Sequence, residues 1–221
     1  MNKEVTAIVE EYLEGIYKLQ EKVGVARTSD IVTLLQVAPG TVTNTVERLE
    51  RDGLITHAPY KGVKLTEKGK RIALNVIRRH RLSERLLTDI LNVEWGKAHE
   101  VACKLEHDID YDIIERLEKT LNHPKTCPHG NPIPTECGGI VEEKSQPLVE
   151  LKVKENCKVI KITEEKPELL NYLKTLGLVP GIQIEVVEKA PFDGPITLRI
   201  GKANRVLSHE VASIIKVKRL E

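Results

Sequence analysis

The chain has 221 residues, 40% hydrophobic and 30% charged, with a formal net charge of only +1. That gives room for two or three small domains with their own cores and excludes a disordered or fibrous chain. No apolar run could span a bilayer, acidic residues interrupt any signal-peptide core in MNKEVTAIVEEYLEGIYKL, and four cysteines without a CxxC pair exclude a zinc ribbon or disulfide framework. A cytoplasmic protein with reduced thiols is expected.

Apolar residues at helical spacing (Val5, Ile8, Val9, Tyr12, Leu13, Ile16, Tyr17, Leu19) predict an amphipathic helix over residues 4–22, ended near Gly24. Thr28 or Ser29 caps a short helix over about 30–36, Val37 to Gly40 interrupts it, and another helix covers about 41–52 up to Gly53. LITHA and GVKLT read as strands joined around Pro59 to Gly62, and a long helix opens near Thr66. This order predicts a winged helix-turn-helix over residues 1–74.

The helix read as the recognition helix opens on small polar residues (Gly40, Thr41, Thr43, Asn44), leaving Val42, Val46 and Leu49 for the core, as a helix entering the major groove requires. Arg27, Thr28, Arg48, Tyr60 and Lys61 complete the candidate DNA contacts. Residues 1–81 hold fourteen Lys plus Arg against ten Asp plus Glu, an excess that permits nucleic-acid binding. A small helical domain unrelated to DNA is the competing reading.

Residues 67–92, 95–108 and 110–121 read as three helices within a helical domain over 75–140, whose surplus apolar faces suggest a subunit interface. The alternative is that these helices simply cover one another. Proline, glycine and polar residues then mark loop and linker, the linker being 141–156. Residues 157–221 alternate short strands with the helical segment PELLNYLKTLG, predicting an SH3-like domain. The expected fold class is mainly α with a small β-barrel. No nucleophile elbow, phosphate loop or dinucleotide fingerprint occurs.

HEVACKLEH, residues 99–107, concentrates metal-binding chemistry. On a continuous helix His99, Cys103, Glu106 and His107 fall within an arc of about 100°, and upstream His80 and Glu84 share a face at four-residue spacing. Each alone reads as an ordinary solvated side chain. Together they point to a metal, because a free cysteine among carboxylates and imidazoles costs solvation free energy unless a cation compensates. CPHGNPIPTEC, bracketed by Cys127 and Cys137, offers His129 for a small extra site, though loop thiols are more often unpaired.

HRLSERLLTDI followed by HEVACKLEH, GNPIP at 130–134 and the preceding TVTNTVERLERDGL together resemble the diphtheria-toxin-repressor family of iron- and manganese-dependent regulators. The resemblance covers about residues 5–140, and the last seventy residues look like that family's SH3-like, FeoA-type third domain. It implies an activating metal site of Cys103, Glu106 and His107 with Glu11 from the first helix. It also implies an ancillary site of His80, Glu84 and His99, an anion beside it at Arg81 and Asn131, and further ligands Glu165 and Glu168. Glu11 stands where iron-type members carry methionine and manganese-type members a carboxylate, whereas Cys103 supplies a soft ligand.

The expected function is a non-enzymatic, Fe(II)-dependent repressor that binds double-stranded operator DNA as a homodimer and controls metal-homeostasis genes, without membrane or small-molecule substrate. Mn(II) is the alternative effector, and Zn(II), Co(II) or Ni(II) are expected to substitute in vitro. A di-metal helical enzyme and a metal-independent regulator are the competing classes.

Overall fold

The computed structural model describes residues 5–58 and 61–220, so Tyr60 lies outside the described residues. The chain forms two compact units. One comprises residues 1–79, 106–109 and 134–139, and the other 80–105, 110–133 and 140–221.

In the first unit, α1 (Ala7–Val23) buries Val9, Tyr12, Leu13 and Ile16 on one face. It ends at Gly24, whose φ of 79° suits a left-handed cap and whose N–H reaches Gln20 O. Then come α2 (Thr28–Leu35) and α3 (Pro39–Arg51). Arg27 rather than Thr28 or Ser29 holds the N-cap position of α2, and its N–H donates to the Asp30 carboxylate at 3.4 Å. α3 starts two residues earlier than the spacing predicts, because Pro39 has a φ preset for the first helical position and no N–H to lose there. Val42, Val46 and Leu49 all pack into the core. β1 (Ile55–Ala58) pairs antiparallel with β2 (Gly62–Leu65), from Ile55 opposite Leu65 to Ala58 opposite Gly62.

α4 (Glu67–Arg85) is capped by Thr66, whose Oγ1 accepts from the Gly69 N–H at 3.2 Å, and the division between units falls between Arg79 and His80. The helix expected to run to residue 92 changes at Arg85 into a π-helical segment, Leu86–Ile90. There the Leu91 N–H bonds Leu86 O, and the Thr88 hydroxyl bonds back to Glu84 O at 2.9 Å.

In the second unit, α5 (Trp95–Leu105) and α6 (Tyr111–Thr120) precede a six-stranded antiparallel sheet. Its strands are β3 (Gln146–Pro147), β4 (Asn156–Ile162), β5 (Gln183–Lys189), β6 (Ile196–Ile200), β7 (Ala203–Leu207) and β8 (Ile215–Arg219), ordered β3-β8-β4-β5-β6-β7. Two short helices, α7 (Pro167–Thr175) and α8 (His209–Ser213), interrupt them. The expected barrel is therefore observed as a sheet with β3 and β7 at its ends rather than as a closed one. Residues 146–151, expected within the linker, supply β3 and the fully buried Leu148 and Leu151, because this short stretch pairs with β8 and fills the sheet's core. Trp95 joins the same core, and the Gly96 N–H donates to Asn171 Oδ1 at 3.0 Å, so α5 and α7 pack together.

Candidate metal centre

Four-residue spacing on α4 sets His80 and Glu84 on one face, and the same spacing on α5 does so for His99 and Cys103. Glu84 Oε1 lies 3.1 Å from His80 Nε2 and 3.0 Å from His99 Nδ1, and the two rings meet edge to face. Cys103 Sγ is 3.8 Å from His99 Nε2, and ligand atoms of His80, His99 and Cys103 converge within 4.8 Å of one another. Burial alone would raise the fully buried Glu84 carboxyl, but the histidines around it hold it well below the usual carboxylate range. Burial likewise opposes charge on His99, yet Cys103 and Glu84 raise it to about 9. His80 and His99 overcome burial at Cys103 and lower its thiol to about 7. Both shifts favour the charged form, an imidazolium on His99 beside a thiolate on Cys103.

The loop after α6 closes over Glu84. Thr126 bridges Pro132, and the Cys127 N–H bonds Asn131 O at 2.8 Å. The loop is fastened to α4 by Arg85, whose Nε donates to Thr126 O at 2.7 Å, and by Arg81, whose guanidinium donates to Pro132 O. It is fastened to β4 by the Ile162 N–H donating to His129 O at 2.9 Å. Gly130, at φ +86°, lies so close to β4 that a Cβ would stand 2.0 Å from Ile160 O. The loop thereby buries Cys127 and His129 completely, with His129 Nδ1 3.5 Å from Glu84 Oε1. Burial lowers the pKa of His129 and raises that of Cys127, keeping both neutral without a cation.

Of the two residues expected to bind an anion, Asn131 donates through Nδ2 to Ile162 O at 3.0 Å and to Glu165 Oε1 at 2.9 Å, and Arg81 donates to Pro132 O. Asn131 thereby draws Glu165 into the centre, where its charge helps raise His99. Glu168 stays exposed in the first turn of α7. Among the described residues, Glu84 Oε2 and His129 Nε2 are buried without a hydrogen-bond partner, and Glu84, Cys127 and His129 converge within 4.8 Å. Orphaned acceptors beside thiols and imidazoles suit a borderline divalent ion.

The first unit holds a separate group. α5 ends at Leu105, so Glu106 and His107 lie in a turn and the helical arc expected to unite them with His99 and Cys103 is broken there. His107 Nδ1 meets Glu10 Oε2 at 2.8 Å and its Nε2 lies 3.4 Å from Glu106 Oε1, while Glu10 Oε1 accepts from Arg79. The α1 carboxylate brought to His107 is Glu10; its neighbour Glu11, about 100° further round the helix, is exposed.

On α3, Gly40, Thr41, Thr43, Asn44 and Arg48 are all exposed, as are Arg27 and Lys61, while Thr28 is half-buried. The Thr43 hydroxyl donates to Pro39 O at 3.1 Å.

Three family descriptions match consecutive parts of the chain. They are the iron dependent repressor N-terminal DNA binding domain over residues 4–63, its metal binding and dimerisation domain over 66–135, and the FeoA domain over 146–219. The iron-dependent repressor IdeR of Mycobacterium tuberculosis is 36% identical, with 98% of this chain and 99% of the relative covered. The chain belongs to the iron-dependent repressor family. The diphtheria toxin repressor of Corynebacterium glutamicum is 30% identical over 99% of both chains. A solved manganese-dependent transcriptional repressor in complex with manganese superposes with a TM-score of 0.86 at 28% identity, covering 96% of this chain and all of that one. The T. acidophilum IdeR crystal structure gives 0.79 at 26% identity, covering 98% and 99%. This is a family of metal-dependent, DNA-binding transcriptional repressors, not of enzymes. No helix among the described residues is long and apolar enough to cross a membrane.

Proposed function

We propose that this protein is an Fe(II)-dependent transcriptional repressor, cytoplasmic, binding a palindromic operator as a homodimer through a winged helix-turn-helix, with an SH3-like third domain beside its buried metal cluster. The observation that carries the reading is the convergence of His80, Glu84, His99 and Cys103 in a chain whose α3 keeps its polar N-terminal residues exposed. Exposed Ile90, Leu91, Tyr111 and Ile113 give the helical region an apolar surface suited to a second copy.

Two ligand groups follow, one in each unit. Glu10, Glu106 and His107 would serve the first, and His80, Glu84, His99 and Cys103 with Glu165 the second. When bound, a divalent cation supplies positive charge that carboxylates and a thiolate can share in a small buried volume. The residues themselves do the rest. Glu10 gives up its bond to His107, His99 releases its proton, and Glu84 keeps two imidazoles oriented throughout. Thr41, Thr43 and Asn44 reach base edges, while Arg27, Arg48 and Lys61 meet phosphates.

The thiolate-prone Cys103 favours Fe(II), since Mn(II) prefers oxygen ligands. The Glu10 and Glu106 carboxylates around His107 favour Mn(II) as the second reading. Anaerobic titration of operator DNA by fluorescence anisotropy decides between them. Fe(II) is expected to tighten binding by about a hundredfold over chelated protein, on the order of 3 kcal/mol, and Mn(II) by less. Equal affinity with and without metal would sink the proposal.

A further inference from the structure

We propose that the outer face of β4 and β8 in the third domain is a second, sequence-independent docking surface for the phosphate backbone of duplex DNA, covered in the free protein by Glu142 and Glu143 of the linker. β4 and β8 send Cys157, Val159, Ile215 and Val217 into the core and alternate them with lysines on the other side. Lys158 stands directly opposite Lys218, and a bulge between Val159 and Lys161 brings Lys161 opposite Lys216. Without that extra residue Ile160 would oppose Lys216 and Lys161 would turn to the core side, so the bulge re-aims a fourth ammonium onto the outer face. Like charges directly opposite one another destabilise a sheet, and here two such pairs follow each other along the same two strands. An anion on this face would relieve both.

The linker supplies part of that anion. Lys161 Nζ donates to Glu142 Oε1 and Lys218 Nζ to Glu143 Oε1, both at 2.9 Å, so one lysine of each cross-strand pair is neutralised. Lys158 and Lys216 have no carboxylate within ion-pairing distance among the described residues. On β5 the residue opposite Lys158 is the neutral Gln183, and on β3 the one opposite Lys216 is Pro147. Glu142 and Glu143 keep 56% and 50% of their side chains exposed, and no backbone hydrogen bond anchors residues 141–145 among the described residues. Two wetted ion pairs hold a segment weakly, and a polyanion can displace it.

The chemistry of the face selects its ligand. Four ammonium groups, with no aromatic side chain on either strand, can meet phosphates but cannot stack on bases, which suits a duplex held by its backbone rather than a single strand. The chain belongs to a family of DNA-binding repressors, and once its N-terminal domain is on a duplex the covalent tether gives the third domain a high effective concentration of phosphate. DNA that displaces the linker meets all four lysines and frees two carboxylates to solvent. The inference rests on DNA binding by this chain and is independent of which metal drives it.

The test is fluorescence anisotropy of the full chain on a mixed-sequence duplex of about 40 base pairs, several times the ~10-base-pair half-site spacing, across about 50–200 mM salt. Lys158→Gln/Lys216→Gln should weaken binding at least ~5-fold at the lowest salt and flatten the slope of log affinity against log salt by about 2. Lys152→Gln/Lys202→Gln, which removes the same charge from exposed positions outside both strands, should leave the slope unchanged. Glu142→Gln/Glu143→Gln should tighten binding about 5-fold by uncovering the face. Acetylation by acetic anhydride, read by peptide mass spectrometry, should find Lys158 and Lys216 of the wild-type chain protected by the duplex. Far-ultraviolet dichroism checks that the variants fold. An unchanged slope in Lys158→Gln/Lys216→Gln, an equal change in Lys152→Gln/Lys202→Gln, unchanged affinity in Glu142→Gln/Glu143→Gln, or equal acetylation with and without duplex overturns the proposal. Each protein is titrated with metal and with chelator, so a failure of metal-stimulated binding shows in that ratio and is read apart from the salt slope.

Discussion

Glu84 is 0% exposed among three imidazoles, whereas Glu10 keeps 13% of its side chain exposed and divides its oxygens between Arg79 and His107. Both carboxylates face histidine, but packing fixes one and water reaches the other. A fully buried charge must be compensated at every moment, so the Glu84 centre has to be assembled whether or not an ion is present. A partly wetted pair can exchange partners at modest cost, which suits a group that responds to metal supply.

Glu84→Gln breaks this contrast most severely. It removes the charge that His80 and His99 face and is expected to cost about 3 kcal/mol of stability, measured by urea unfolding of the metal-free protein. A loss below ~0.5 kcal/mol would show that the centre is not the compensated cluster described. Glu10→Gln should cost only about 1 kcal/mol, yet reduce metal-stimulated operator binding ~10-fold or more, while Glu11→Gln leaves it unchanged. If Glu11→Gln proves the more damaging, the responsive group has been assigned to the wrong carboxylate.

The pH dependence sharpens the comparison at Cys103. Its pKa is lowered from 9.0 to about 7, so the thiolate dominates above pH 7 and is lost as pH falls below it. Alkylation of Cys103, followed by peptide mass spectrometry, should therefore slow about tenfold between pH 8 and pH 6. Cys127 and Cys157, buried and shifted upward, should stay unmodified throughout. A Cys103 midpoint above pH 8 would remove the His99 contact from consideration.

Much of this was legible in the residues. The spacing of Val42, Val46 and Leu49 gave the buried face of α3, and four-residue intervals paired His80 with Glu84 and His99 with Cys103. The end of α5 was not, because LEHDIDYD contains no glycine or proline to mark a stop, and Glu106 and His107 therefore read as helical. Glu10 and Glu11 are chemically identical neighbours, and only the fold decides which one meets His107. The burial of Cys127 and His129 was hidden most deeply. Proline and glycine around them describe a loop, and its enclosure depends on backbone bonds to β4 some thirty residues further along the chain. Leu148 and Leu151 escaped for a related reason, being core residues set in a polar stretch.

The close approach of Gly130 to Ile160 makes this loop a mechanical latch with no room for error. A single added methyl at Gly130 would act as a wedge, prying the segment from its strand while leaving every ligand and every charge in the sequence intact. Gly130→Ala is therefore the allele by which genetics could separate holding metal from holding the third domain in place.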